Sequence, residues 1–567
     1  MKYSNIPSAQ TIIQHCQAKG VKNIVLSPGS RNAPLTISFT ENTFFTCFSI
    51  VDERCAAFFA LGMAQQLKEP VAVVCTSGSA LLNYYPAIAE AFYSDIPLVI
   101  ISADRPTNKI DVGDGQTIRQ ANVFANHIGY SANLKEDVFN DVVAQKEVQS
   151  FNDMELNKAL NIALAQNTPV HINAPFEEPL YGQVSLLSTI ANIVFSVNEN
   201  VDADFVKEDF FEIWDKAERI MILVGVNAPN TIEKDVLNRL GEDPRVIVLT
   251  ETTSNIHHPS FFPSIDSILA PIEKSENKEG LFKELQPDVL LTFGGLVVSK
   301  KIKAFLRTYK PNFHWHIDKK KAFNTYFSLS THIKEKPNTI LKLLINRDEN
   351  RIGSYFGFWD KRREYYLEKR EEYNEGIVFS DFLAFEKILK SIPDDNQLQL
   401  SNSSTIRYSQ LFNNKPSVSV FCNRGTSGID GSTSTAIGAS IYNITPTLLI
   451  TGDLSFFYDA NGLWNSYVRK DFRIIVINND GGGIFRILPG KEDSKSFSTF
   501  FETKHNLNAK NLCDMHNFQY LSAENEGELS EGLKNLYRLS ENPKLLEVKT
   551  PRLLNDKILL GYFDFIS

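Results

Sequence analysis

The chain has 567 residues, 43% of them hydrophobic and 22% charged, with a formal net charge of -9. That length exceeds a single hydrophobic core and implies about three or four domains of ordinary soluble composition. The acidic balance argues against non-specific binding to nucleic acid or anionic membranes, so an anionic substrate must meet a local basic cluster.

Cys16, Cys47, Cys55, Cys75, Cys422 and Cys513 are scattered without a CxxC pair, which argues against a zinc ribbon or a disulfide framework. The N-terminal stretch has no apolar signal region, and no segment reaches the ~20 apolar residues of a membrane span. A reducing cytoplasm is the expected compartment.

Taken in order, residues 1–185 alternate helix and strand. A helix is predicted over Ser8–Ala18, then strands over Asn23–Leu26, Phe45–Val51, Val71–Cys75 and Leu98–Ser102, with an apolar helix over Cys55–Leu67. Alternation of this kind gives a parallel α/β sheet, whose ligands meet the loops after the strands. Ser30, Arg31, Glu53, Ser77 and Arg105 all fall in such loops.

A second block, 190–345, repeats the alternation with strands at Ile220–Val224, Val246–Thr250, Val289–Phe293 and His314–Ile317. Gly294-Gly295 follows one of them without the full dinucleotide fingerprint, so a nicotinamide site and a central domain that binds no nucleotide both stand as readings. Lys300, Lys301 and Lys303 come next, a run that also reads as a solvated face. A charged helix, Trp359–Tyr373, reads as a linker or a surface helix. It opens the third block, 346–567, with strands at Leu398–Leu400, Val418–Cys422, Thr447–Thr451, Ile474–Ile477 and Leu545–Lys549. Three consecutive parallel-sheet α/β domains are therefore expected, the first and third sharing a rhythm without evident sequence similarity.

The stretch Gly452–Phe485 organises the rest. Two apolar β-branched runs end in Gly452-Asp453-Leu454-Ser455 and Asn478-Asn479-Asp480-Gly481-Gly482-Gly483, with a helix expected over Tyr458–Arg469 between them. Asp453 and Asn479 thus stand at the ends of two strands on one sheet edge. Their oxygens, with the Gly481 carbonyl, suit a hard cation such as Mg²⁺ in company with a phosphate; an ordinary strand-end turn is the plain alternative. Ser427, Gly428, Ile429 and Asp430 precede a small-residue helix, Gly431–Ser440, whose first amides suit a phosphate or simply a tight helix entry. Glu53 opens an apolar helix, where a carboxylate also stabilises the macrodipole. His314 and His316 alternate on a strand and His257-His258 sit in a loop; neither pair has zinc-ligand spacing, and structural or surface roles are expected.

Gly452-Asp453 with Asn478-Asn479 downstream resembles the thiamine diphosphate motif of the pyruvate decarboxylase-like enzymes, built from pyrimidine-binding (1–185), central (190–345) and diphosphate-binding (346–567) domains. Most members have Gly after the Asp; here Leu454-Ser455 follows. That departure, with Ser27-Pro28-Gly29-Ser30-Arg31, Asp52-Glu53-Arg54, Thr76-Ser77-Gly78, Ala103-Asp104-Arg105-Pro106, Ile118-Arg119-Gln120, Pro175–Gly182 and Asn423–Gly431, is similar to the 2-succinyl-5-enolpyruvyl-6-hydroxy-3-cyclohexene-1-carboxylate (SEPHCHC) synthases of menaquinone biosynthesis.

The resemblance implies a transferase using thiamine diphosphate and Mg²⁺ (or Mn²⁺). It decarboxylates 2-oxoglutarate and adds the four-carbon carbanion to isochorismate; the alternative is another 2-oxoacid decarboxylase or an acetohydroxyacid synthase-like carboligase. Glu53 is then the catalytic carboxyl at the aminopyrimidine N1′, promoting the imino tautomer that deprotonates the thiazolium. Asp453, Asn479 and Gly481 hold the metal. Ser427, Gly428, Ile429, Leu454, Ser455, Ile484 and Phe485 line the cofactor, with Ile429 supporting its bent form. Ser30, Arg31, Arg105, Gln116 and Lys300 are nominated for isochorismate, and Ser403, Arg407 and Arg424 for the oxoacid and shared carboxylates. For Ser403 and Arg407 a surface salt bridge, and for Lys300 a solvated lysine, stand as plain alternatives. A homodimer or homotetramer with active sites between subunits follows, with no nucleic acid and no membrane span. The polar segment Lys491–Lys504, with Phe497, Phe500 and Phe501, reads either as a lid or as a surface loop.

Overall fold

The computed structural model describes residues 2–196, 208–347, 351–487 and 494–567. Three parallel sheets follow one another along the chain. The first contains β1 (Asn23–Leu26), β2 (Thr46–Ser49), β3 (Val71–Cys75), β4 (Leu98–Asp104), β5 (Tyr130–Asn133) and β6 (Val170–Pro175), in the order β2-β1-β3-β4-β6-β5. The second contains β7 (Ile220–Val224), β8 (Val246–Leu249), β9 (Val289–Phe293), β10 (Phe313–Ile317) and β11 (Thr331–Ile333), in the order β8-β7-β9-β10-β11. The third contains β12 (Gln397–Leu400), β13 (Ser419–Cys422), β14 (Thr447–Gly452), β15 (Arg473–Asn478), β16 (Gln519–Ala523) and β17 (Lys544–Lys549), in the order β13-β12-β14-β15-β17-β16. The first and third sheets therefore share one topology, which is the structural content of the rhythm seen in the sequence.

The central strands are buried at every position, as their unbroken apolar runs require when helices cover both faces. Helices connect the strands, so polar loops gather at the C-terminal edges. Two readings change. The Tyr458–Arg469 helix is absent; the helix is Asp453–Tyr458, followed by a 3₁₀ turn at Ala460–Leu463. The Asp459-Ala460-Asn461-Gly462 run breaks it, because Asp459 turns inward to accept from the Ser434 amide at 2.7 Å and Asn461 reaches out to Asp52 at 2.8 Å. The charged helix, Tyr355–Gly376, is a strut. It buries Tyr355, Trp359, Tyr366 and Arg370 between the second and third blocks, and its Tyr373 hydroxyl donates to the Ile558 carbonyl at 2.7 Å.

The first and third blocks pack through the helices Glu53–Leu67 and Ser432–Ser440. A Cβ at Gly62 would lie 2.0 Å from the Thr435 carbonyl oxygen, and one at Gly438 would lie 2.0 Å from that of Phe59. The two helices approach at backbone distance, which only glycine permits at both positions. Gly62→Ala is expected to destabilise the fold by about 1–3 kcal/mol or more through overpacking, read as a lower denaturant midpoint in urea unfolding. Among the described residues no helix is long and apolar enough to cross a membrane.

Candidate active site

The C-terminal ends of β14 and β15 bring Asp453 and Asn479 into one cavity of about 130 Å³, lined also by Asp381, Asn402, Ser403, Ser404, Thr405, Ile429, Leu454, Ser455, Ile484 and Phe485. Asp453 is buried at the start of its helix. Its Oδ1 accepts from the Leu454 amide at 2.6 Å and its Oδ2 from the Gly481 amide at 2.9 Å. Gly481 has φ +142°, and a Cβ there would meet the Glu502 carbonyl oxygen at 2.6 Å, so this turn is open only to glycine. Asn479 is buried; its Nδ2 donates to Asp381 at 2.9 Å, while its Oδ1 is buried without a hydrogen-bond partner.

A buried carbonyl oxygen left without a donor costs free energy in an empty site and is satisfied by a cation. The donor set is all oxygen: a carboxylate, an amide carbonyl and a glycine carbonyl. That set fits a divalent metal with a diphosphate. Ser403, with φ +69°, precedes the helix Ser404–Ser409 and turns into this cavity, alongside the Ser404 and Thr405 side chains that the motif comparison did not nominate. His505 lies 3.2 Å from Asp453, which holds the imidazole above its usual range.

The loop Arg424–Asp430 flanks the cavity. Asn402 anchors it, donating to the Gly428 carbonyl and accepting from Arg424, both at 2.7 Å. Glu90, buried in the first block and unmarked by any motif, accepts from the amides of Gly425 and Thr426 at 2.7 Å each. The Ser455 hydroxyl donates to the Ile429 carbonyl at 2.6 Å, and the Ile429 side chain stays 39% exposed at the cavity, available to support a ligand. Ser427 and Gly428 lie in the same loop but do not line the cavity. The helix behind them begins at Ser432, and its Ser434 amide already serves Asp459, so that helix start is capped from within the protein.

Asp459 is fully buried, and burial pushes its carboxyl up to about 6 against the hydrogen bonds from Ser434. It also accepts from the Cys55 thiol at 3.6 Å. Glu53, on the same helix as Cys55, is half-buried. Burial lifts its carboxyl above the usual glutamate range, with the neighbouring Asp52 adding to the effect. Glu53 lies at the edge of the first sheet, near Asn83, and does not line the Asp453 cavity; every lining residue comes from 381–485.

The substrate candidates fall into two groups. At the edge of the first sheet, Arg31 is buried and donates to the Phe176 carbonyl at 2.9 Å and to Glu178 at 2.8 Å. Arg105 donates to the Ser77 hydroxyl at 3.0 Å and the Gly115 carbonyl at 2.9 Å. Both arginines face Asp104, and Ser30 and Gln116 are exposed beside them. Between the second and third blocks, half-buried Arg407 lies in the field of half-buried Asp266 and buried Glu251, and Arg424 in that of Glu251, so Arg407 sits in a partly buried charge cluster. Burial pushes the Glu251 carboxyl up to about 7, although the Val298 and Ser299 amides donate to it.

Lys300 is exposed at the start of the helix Lys300–Thr308, directly after Ser299, whose amide donates to Glu251; Lys301 pairs with Glu273. Lys303 instead is half-buried beside Glu251, Arg424 and Arg407, and burial lowers its pKa. Helical phase decides this: one turn after Ser299, residue 303 faces inward with Ile302 and Leu306. Lys303 and Arg424 also line a second cavity of about 440 Å³ at the C-terminal edge of the second sheet. There the Gly294-Gly295 pair serves packing. The Gly295 amide donates to the Val226 carbonyl at 2.7 Å, and a Cβ at Gly225 would meet the Gly295 carbonyl oxygen at 1.9 Å. His314 and His316 both hydrogen-bond the Thr292 hydroxyl, at 2.9 and 2.8 Å, and among the described residues no group of three or more His, Cys, Asp or Glu side chains is placed to hold a metal.

Of the segment Lys491–Lys504, residues 491–493 lie outside the described residues. The rest ends in an anchor: Glu502 is buried, pairs with Arg486, and accepts from Arg552 at 2.6 Å and, through its carbonyl, from the Gly482 amide at 2.6 Å. Phe500 stays 77% exposed.

Comparison with known proteins agrees with this geometry. Residues 8–126 match the family described as thiamine pyrophosphate enzyme, N-terminal TPP binding domain, and residues 403–548 match thiamine pyrophosphate enzyme, C-terminal TPP binding domain. The chain is 53% identical over 576 residues to a 2-succinyl-5-enolpyruvyl-6-hydroxy-3-cyclohexene-1-carboxylate synthase of Christiangramia forsetii, covering 100% of both. It is 54% identical to the protein of the same name from Flavobacterium johnsoniae, with 99% of each chain covered. A Porphyromonas gingivalis protein of that name is 38% identical, with 100% of this chain and 98% of the relative covered. Binding domains for thiamine diphosphate at both ends and full-length identity at this level place the chain in the 2-succinyl-5-enolpyruvyl-6-hydroxy-3-cyclohexene-1-carboxylate synthase family of thiamine diphosphate enzymes.

Proposed function

We propose that the chain is a transferase that decarboxylates 2-oxoglutarate and joins the resulting succinyl-semialdehyde carbanion to isochorismate, giving SEPHCHC and CO₂ in menaquinone biosynthesis. The observation that carries this reading is the buried, unpartnered Asn479 Oδ1 beside Asp453 and Gly481 in one cavity. The full-length identity to synthases of that name supports this choice of reaction.

Bound thiamine diphosphate supplies a carbon nucleophile for the 2-oxoacid and an electron sink for the charge left when CO₂ departs. Asp453, Asn479 and the Gly481 carbonyl would hold Mg²⁺ or Mn²⁺ and, through it, the diphosphate. Ile429, Leu454, Ser455, Ile484 and Phe485 form the walls of the cofactor site, with Ser427 and Gly428 in the adjoining loop. Glu53 would hold the proton at N1′ of the aminopyrimidine, and the burial that raises its pKa favours the protonated carboxyl that this role needs. The cavity has walls from the third block alone and, at about 130 Å³, is smaller than the 300–1,000 Å³ of a typical ligand site. As the family resemblance implies, Glu53 of one protomer would complete the cavity of its partner, in a homodimer or homotetramer; walls from the third block alone are consistent with that.

Arg31, Arg105, Ser30 and Gln116 bind isochorismate carboxylates from the first block. Lys300 joins them from the second block, Arg407, Arg424 and Ser403 bind the oxoacid and shared carboxylates from the third, and Lys303 beside Arg424 extends the basic cluster. The domains run over 1–185, 190–345 and 346–567, and the cytoplasm is the compartment. The test is product analysis with thiamine diphosphate, Mg²⁺ and 2-oxoglutarate, with and without isochorismate. CO₂ release coupled to a new carboxylated adduct is expected; turnover of pyruvate alone would overturn the reading.

A further inference from the structure

An asparagine that ligates a cation must present its oxygen, and its two amide ends differ only by the partners they find. We propose that Asp381, Thr550 and Asn555 form a buried orienting chain that turns the Asn479 carbonyl oxygen toward the cation, with Asp381 as the positioning residue. This rests on the reading of Asp453, Asn479 and Gly481 as the metal site.

The chain of donors can be followed from an unambiguous start. The backbone N–H of Asp381 donates to Asn555 Oδ1 at 2.9 Å, which fixes that amide and leaves its Nδ2 as a donor. Asn555 Nδ2 donates to Thr550 Oγ1 at 3.2 Å. The Thr550 proton therefore goes onward, to Asp381 Oδ1 at 2.5 Å. Asp381 Oδ2 is left to accept, and Asn479 Nδ2 donates to it at 2.9 Å. Asn479 Oδ1 then has one remaining direction, into the cavity, where it is buried and without a partner. Asp381, Thr550 and Asn555 are all buried, so water does not compete for these bonds. Three separate elements contribute: Asp381 opens the helix Asp381–Ser391, Thr550 follows β17, and Asn555 opens the helix Asn555–Phe565.

Substitutions at 381 and 479 then have opposed, interlocking effects. In Asp381→Asn the replacement amide accepts the Thr550 proton through its oxygen and turns its NH₂ on the Asn479 NH₂. The Asn479 amide flips, and a hydrogen-bond donor faces the cation. Asn479→Asp alone sets a second carboxylate against Asp381. In the double variant D381N/N479D the new NH₂ donates to one oxygen of the new carboxylate, and the other oxygen faces the cation. Thr550→Val removes the middle link while keeping its volume.

The experiment is titration of apoprotein with Mn²⁺ in the presence of thiamine diphosphate, read by the paramagnetic resonance signal of free Mn²⁺, with melting temperature measured without metal. D381N and N479D are each expected to raise the Mn²⁺ dissociation constant by about 10–100-fold, T550V by about 10-fold, and D381N/N479D to return to within about 10-fold of wild type. Wild-type Mn²⁺ affinity in D381N, or in T550V should D381N not fold, overturns the orienting chain and leaves the metal site standing. Equal weakening in D381N and the double variant, with both melting early without metal, makes Asp381 a structural residue only and also overturns it. A wild-type protein that takes up no Mn²⁺ under these conditions overturns the metal-site reading itself.

Discussion

Glu53→Gln is expected to lower turnover with 2-oxoglutarate by about 10²–10⁴-fold, the usual contribution of a positioned proton-transfer group. Thiamine diphosphate affinity should change by less than about 10-fold, because glutamine keeps the length and hydrogen-bonding reach of the side chain. Glu53 is the first residue of its helix, and the N-cap Asp52 accepts from the Cys55 amide at 3.1 Å and from Asn461 at 2.8 Å. Its backbone is therefore fixed whether residue 53 carries a carboxyl or an amide. What changes is the exchangeable proton, which burial holds on Glu53 to a higher pH than on an ordinary glutamate. Exchange of the cofactor's C2 proton, followed by NMR, separates this from a binding defect. Wild-type exchange and turnover in E53Q would remove Glu53 from the chemistry.

The second large effect is expected at Asp453. Asp453→Ala should weaken divalent-metal and thiamine diphosphate binding by at least about 100-fold, beyond the loss typical of an outer-shell partner. The variant should behave like wild type stripped with a chelator. The carboxylate is 3% exposed and accepts two backbone amides, so its loss also leaves the buried Gly481 N–H without its acceptor. Quenching of intrinsic fluorescence on cofactor addition, with and without Mg²⁺, measures the effect. Metal-dependent cofactor binding in D453A at wild-type affinity would exclude Asp453 as a ligand.

The strands that carry these residues were legible because β1, β3, β14 and β15 are buried on both faces and read as unbroken apolar runs. The edge strands β5, β11 and β16 went unassigned, since Tyr130–Asn133, Thr331–Ile333 and Gln519–Ala523 are half polar and face solvent on one side, and so did the buried β6, whose His171, Asn173 and Pro175 interrupt its apolar run. Asp453 and Asn479 were found by spacing along the chain. Asp381, Glu90 and Lys303 were not, because each acts on residues distant in sequence: Asp381 on Asn479 within the third block, Glu90 on the loop at Gly425, and Lys303 beside Arg424. A local motif holds no record of a contact between residues so distant in the chain. The inward face of the charge run after Ser299 has the same origin: the run is visible in sequence and the burial of Lys303 within it is not.

The glycine contact between Glu53–Leu67 and Ser432–Ser440 also bears on motion. At Gly62 and Gly438 the two helices touch with no side chain between them, and sliding either one there drives backbone into backbone. The first and third blocks of one chain are therefore held backbone to backbone at this contact, which resists sliding. Any breathing that admits substrate arises elsewhere, in the central block or in the loops at the sheet edges, on the microsecond-to-millisecond scale of such rearrangements.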